Sequence, residues 1–237
     1  MKYSFFAFLL LLNLFVAAQD SKQVYDPNAV KRDLGNFSTI SIKGPFTVFF
    51  SKGADCSVAV SASTNDLREK IASQIFGSEL SIKFNEKGID AFFKNQKLRV
   101  YISAPSLTSI EASGAVDFII VDELTSDDLS LTFSGSSDVK GIIKANRLKA
   151  IFSGASDLDI SGSAKQARVV LSGASVCNAA DLLVHEVDVK ASGASTIRVH
   201  VIESLKAVAS GASKIIYSGN PSQIDRVSSG ASSIRKL

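Results

Sequence analysis

The chain has 237 residues, 46% of them hydrophobic and 21% charged, with a formal net charge of +3. That near balance excludes a nucleic-acid or anionic-membrane partner recruited by bulk charge. Two cysteines, two histidines and no tryptophan exclude a disulfide scaffold and leave a thin inventory for metal or acid–base chemistry.

The first residues carry the parts of a secretory signal: Lys2, an apolar run over residues 5–16 broken only by Asn13, and Val16-Ala17-Ala18. The pattern predicts cleavage after Ala18 and export to the periplasm, the cell surface or beyond. The run is shorter than the roughly 20 apolar residues of a membrane span, and no later stretch qualifies, so no transmembrane segment is expected in the mature chain. No cysteine stands at the cut, which argues against a lipid anchor. Residues 19–36 are polar and read as a linker.

From Phe37 the pattern is β, with strands expected over residues 38–43, 46–51 and 57–61 and a turn at Ser51-Lys52-Gly53. Residues 66–76 read as a short amphipathic helix capped by Asn65 or Asp66. Strands over residues 79–84 and 97–103 come next, separated by an insertion that carries Phe92 and Phe93. Residues 37–104 are expected to form an irregular β segment that covers one end of a more regular stack, since a bare strand edge invites aggregation. Pro105 marks entry into that stack, a repeat region that runs to residue 237.

The repeat is the dominant feature. Its corner glycines are Gly114, Gly135, Gly154, Gly173, Gly193, Gly211 and Gly230, about nineteen residues apart. Serine precedes each, a small residue comes after each, and Ser137, Ser156, Ser175, Ser195, Ser213 and Ser232 stand two positions beyond all but the first. Apolar columns lie six and two positions before the glycine and four after it, while the column five before is polar throughout (Ser109, Ser130, Lys149, Arg168, Asp188, Lys206, Asp225). Each repeat is therefore two short strands with one apolar side, joined at a tight corner. A single repeat cannot bury that side; stacked copies can. The fold class expected is an all-β, single-stranded parallel β-helix or β-solenoid over residues 105–237, continuous with the irregular segment before it. At about 4.8 Å per coil the seven corners imply a rod on the order of 30 Å long.

The corners do not read as chemistry. A serine nucleophile needs a base within reach, and His185 and His200 lie outside the corner motif. No helix start or lysine stands after the glycines at the spacing of a phosphate loop. Asp117, Asp138 and Asp157 share a column three past the glycine, with Asp159 nearby, and are the weak candidates for a calcium site. The column then changes to Val176, Thr196 and Lys214, so it reads first as a solvated face, and no metal or other cofactor is expected. Cys177 sits in an apolar column and reads as a small buried hydrophobe. The basic residues scatter over several columns, so no nucleic-acid stripe forms.

Two strand segments, Gly-x-Phe-x-Val-x-Phe over residues 44–50 and Leu-x-Val-x-Ile-x-Ala-Pro-x-Leu over residues 98–107, lead into these Ser-Gly-Ala repeats. In this, residues 37–237 resemble the putative auto-transporter adhesin head domain, or GIN domain, of exported bacterial proteins. The resemblance implies a β-solenoid-like fold, a role in adhesion and no catalytic residues. The expected function is a non-catalytic binding module that presents solenoid faces to a glycan or protein. Two alternatives stand beside it: a calcium-dependent polysaccharide-active enzyme on a β-helix, and a purely structural envelope protein.

Overall fold

The computed structural model of the chain describes residues 26–85 and 97–237. The expected signal peptide, its cleavage site, and Phe92 and Phe93 lie outside the described residues. The elements are β1 (Val30–Arg32), β2 (Thr39–Lys52), β3 (Ser57–Ser61), α1 (Asn65–Glu69), β4 (Ile71–Phe76), β5 (Glu79–Phe84) and β6 (Arg99–Ala104), then the long strands β7 (Ser109–Gly135), β8 (Asp138–Gly154), β9 (Asp157–Leu171), β10 (Val176–Ala191) and β11 (Thr196–Ala209), and finally β12 (Lys214–Ser218), β13 (Gln223–Ser228) and β14 (Ser233–Lys236).

β2 and the strands β7 to β14 pair parallel, each on its equivalent one coil away. The result is a parallel β-solenoid of about six turns. The register matches the repeat: Phe133 faces Phe152, Ser134 faces Ser153 and Gly135 faces Gly154. The structure adds one copy of the corner to the seven. Gly44 pairs with Gly114, so β2 is the first coil, and the two strands expected over 38–43 and 46–51 are one strand that bends at Gly44.

The corner needs glycine for two reasons, and Gly154 shows both. Its φ is 90°, and a Cβ there would lie 2.3 Å from the carbonyl oxygen of Gly135. Coils approach each other backbone to backbone at this point, and only a residue without a side chain fits. The next residue restores the ladder: the Ala155 N–H donates to the Gly135 carbonyl at 2.8 Å.

Inside, the apolar columns form one continuous core. Phe46, Phe50, Phe118, Phe133 and Phe152 are among its largest fully buried side chains. The rings of Phe133 and Phe152 stack with centroids 5.1 Å apart, and Phe118 meets Phe133 edge-on at 6.2 Å. Each such ring contributes about 1.5–3 kcal/mol by leaving water. The buried thiol of Cys177 belongs to this core, and burial pushes it up to about 12, with Asp159 adding to the rise. It packs as a small hydrophobe with no exposure to solvent.

The N-terminal end is closed in two parts. One half of β2 (Thr47–Lys52) is covered by β6, which pairs in turn with β3, and β3 with β1. The other half (Thr39–Lys43) is covered by β5, backed by β4. Here the structure corrects the helix expected over 66–76. The helix spans only Asn65–Glu69, with Thr64 as its cap, and residues Ile71–Phe76 form a strand. The turn at Gly77 lets that segment fold back antiparallel on β5, whose backbone ladder outcompetes a lone amphipathic helix. The expected linker likewise contains order: Val30–Arg32 is an edge strand on β3.

Candidate functional site

The serines two positions past the corner glycines are absorbed by the backbone. Ser137, Ser156, Ser175 and Ser213 are fully buried. Ser156 is typical: its hydroxyl donates to the Ser153 carbonyl at 3.2 Å and accepts from the Ser137 N–H at 3.4 Å. Both lone backbone groups arise because the corner interrupts the ladder, and the hydroxyl answers them.

The three aspartates of the sequence reading do come together in register, Asp117 beside Asp138 and Asp138 beside Asp157. Burial and then the charge of Asp138 push Asp117 above the usual carboxylate range, with Lys140 opposing. Asp157 spends one oxygen on the Val176 N–H at 3.3 Å. Among the described residues no three acidic, histidine or cysteine groups converge as a metal-ligand set. The histidines also find partners. His185 Nδ1 lies 2.7 Å from Glu203, and His200 Nδ1 lies 3.0 Å from the Ser218 hydroxyl. The second contact is a serine–histidine pair that sequence spacing did not reveal, because it forms across neighbouring coils. Among the described residues no acidic side chain bonds His200, so the third member of a triad is missing.

Two of the surface concavities combine apolar and polar linings in a way that bears on recognition. The first is a groove of about 620 Å³ that runs across the coils over Leu129, Leu148, Ala167 and Val187. Its rims are charged, but the charges pair along the rod: Arg147 grips Asp128 with two nitrogens, and Arg168 meets Asp188 at 2.9 Å. Lys149 and Lys206 line it too.

The second is a concavity of about 590 Å³ on the outer face of the N-terminal cap. Its central row crosses four strands in register: Lys31 on β1, Ala59 on β3, Tyr101 on β6 and Phe49 on β2. The rings of Phe49 and Tyr101 stack at 5.3 Å with 12° between their planes. The Tyr101 hydroxyl donates to Asp26 at 2.8 Å, Arg99 meets the same oxygen at 3.1 Å, and the Asn28 N–H donates to the other at 3.0 Å. The Asp26 side chain is only 4% exposed. Burial would raise its carboxyl, but these donors outweigh that and hold it down at about 2. Burial, then the bond and charge of Asp26, push Tyr101 up to about 12. A second row, Ser57, Ser103 and Ser51, lies beside the first. The sequence did hold a signal for this site. Phe46, Val48 and Phe50 alternate inward, which leaves Phe49 as an aromatic on the outer side of the same strand.

The molecule resembles several solved structures. A "putative adhesin" from Bacteroides fragilis superposes with a TM-score of 0.83 at 19% identity, over 90% of this chain and 98% of that one. A "putative lipid binding protein" from Parabacteroides distasonis gives 0.69 at 20% identity, over 90% and 98%. A "putative adhesin" from Parabacteroides merdae gives 0.68 at 18% identity, over 88% and 95%. At such identities these likenesses speak for the fold. No curated protein matches the sequence. The family model described as "Putative auto-transporter adhesin, head GIN domain" matches residues 36–221, which takes in the first coil, its cap and most of the solenoid. The chain belongs to that family.

Proposed function

We propose that this protein is an exported, non-catalytic binding module of the adhesin type, which presents the outer faces of its solenoid to a glycan or protein. The observation that carries the reading is where the polar chemistry goes. The glycines and the serines two positions past them are consumed by the corners, which leaves recognition to the outward positions between them. Membership of an adhesin family supports the same direction. Export rests on the signal pattern that ends at Ala18. Among the described residues no helix is long and apolar enough to cross a membrane.

The test is a binding screen of the immobilised protein against glycans, matrix proteins and envelope components. Saturable binding to one class supports the proposal; a blank screen favours a purely structural role. Incubation with acidic polysaccharides and calcium is the companion assay. Chain cleavage that disappears in Asp138→Ala would replace the binding module with an enzyme.

A further inference from the structure

The concavity on the N-terminal cap has the shape and chemistry of a slot. In the row Lys31–Ala59–Tyr101–Phe49 the side chains fall from a ring to a methyl group at Ala59 and rise again at Lys31. Neighbouring strands lie about 4.8 Å apart, so the gap between Lys31 and Tyr101 spans about 10 Å, two strand spacings. Ala29 and Ala59 both line it, which keeps the floor low. Tyr101 is held rigidly at one wall: Phe49 backs its ring and Asp26 pins its hydroxyl. A wall fixed in advance loses little freedom when a ligand arrives.

The polar groups around the slot are of both kinds. Ser57 and Ser103 place hydroxyls at its side, and neither hydroxyl has a partner among the described residues, nor does that of Ser51 next in the row. The ionised groups that line the concavity are Asp26, Lys31, Lys52 and Asp122, two of each sign. Such balance does not select a charged ligand. A narrow slot with an aromatic wall, a low apolar floor and a row of unbonded hydroxyls matches a pyranose ring. One face of that ring offers C–H groups to the negative face of an aromatic, and its rim offers hydroxyls that donate and accept.

We infer that the slot over Ala59, between Tyr101 and Lys31, binds an uncharged pyranose unit of a glycan. Tyr101 supplies the stacking wall, Phe49 and Asp26 position it, and Ser57, Ser103 and Lys31 bond the sugar hydroxyls. The inference rests on the binding-module reading and narrows it to one face and one ligand class. It also explains why the paired aromatics stand on the outside of the sheet, where a purely structural pair would gain less from burial.

The experiment is calorimetric titration of the protein with neutral oligosaccharides (cello-, xylo-, manno- and chito-oligomers) and with hyaluronan oligomers as the acidic arm. Ala59→Ile is the central variant. It fills the slot, suits a strand and removes no contact, so the fold is expected to hold while affinity for the neutral sugar drops at least tenfold. Tyr101→Leu is expected to do the same, and Lys149→Ala in the distant groove to change affinity less than twofold. Phe49→Leu, which removes the backing ring, is expected to weaken binding less than Tyr101→Leu. Thermal melts of each variant separate lost binding from lost fold. Neutral-sugar binding that survives Ala59→Ile in a folded protein overturns the slot. So does binding of hyaluronan alone, or of a protein alone, and in both cases the module reading stands. A protein that binds nothing in this assay or in the wider screen removes both.

Discussion

The two ends of the solenoid are built on different principles. At the N-terminal end two groups of paired strands each cover one half of the first coil, and aromatic rings fill the coils behind it. At the other end β13 is exposed along its whole length and β14 nearly so. The last coil also breaks the apolar columns. Arg226 falls in the column of Ala207, and Lys236 in that of Tyr217, both of which are buried in the coil before. The Phe133 and Phe152 column likewise declines through Leu171, Ala191 and Ala209 to Ser228. Covering an edge and filling it with charge are two answers to one hazard, unwanted strand pairing. In a stack of repeats each coil is stabilised by its neighbours, so a cost in the middle should be felt by the whole rod and a cost at the last coil by little else.

The largest test of that contrast is the core. Phe152→Ala removes a ring stacked on Phe133 in the filled region and is expected to cost about 3–5 kcal/mol in urea unfolding. Ile234→Ala, in the exposed last coil, is expected to cost less than about 1 kcal/mol. Equal losses would mean that the last coil is as integral as the middle. The corner gives the next effect. Gly154→Ala would set a Cβ 2.3 Å from a backbone oxygen, at a φ of 90°. It should destabilise by about 3 kcal/mol. At Gly230 the same atom would lie 3.0 Å from the Gly211 oxygen, and the smaller clash predicts a visibly smaller loss. Serine removal comes below these. Ser156→Ala strands two buried backbone partners and should cost about 2 kcal/mol. Ser232→Ala, where water replaces the hydroxyl, should fall within about 0.5 kcal/mol of the parent protein.

The same contrast decides what the sequence alone conveyed. Repetition exposed the coils because every copy asks for the same residues at the same offset: Gly154, Ser156 and Phe152 answer for their neighbours. The cap has no copies to compare. Residues 71–76 alternate too weakly to announce a strand, and their pairing with β5 is settled by contacts rather than by propensity. Gly44 was hidden because its corner reads Lys-Gly-Pro where the others read Ser-Gly-Ala or Ser-Gly-Ser. The slot was legible only in part. The outward position of Phe49 follows from strand parity, but its meeting with Tyr101 depends on the order of β3, β6 and β2, which no local pattern carries. Asp26 is more remote still, a residue assigned to a linker that proves to be among the best-bonded carboxylates of the molecule.

That carboxylate gives the smallest and most local prediction, and it bears on the covered end alone. Asp26 titrates at about 2 in the folded protein, below its ordinary 3.8, so its contribution is complete above about 4 and is lost as the pH falls toward 2. Tyr101 has the opposite sign. Its folded value of about 12 exceeds the ordinary 10, so its contribution is present below about 10 and is lost as the pH rises toward 12. Between those limits the latch that ties residues 26–32 to β3 and β6 should hold. Hydrogen exchange read peptide by peptide at pH 3 and pH 6, corrected for intrinsic rate, is expected to show lost protection for residues 30–32 and 58–60 at the lower value. The corner amides of the middle coils should keep theirs. Asp26→Asn should abolish the difference between the two pH values at the cap. If the cap loosens at pH 3 in the variant as well, some other carboxylate controls that end, and the wall of the slot is not held by Asp26.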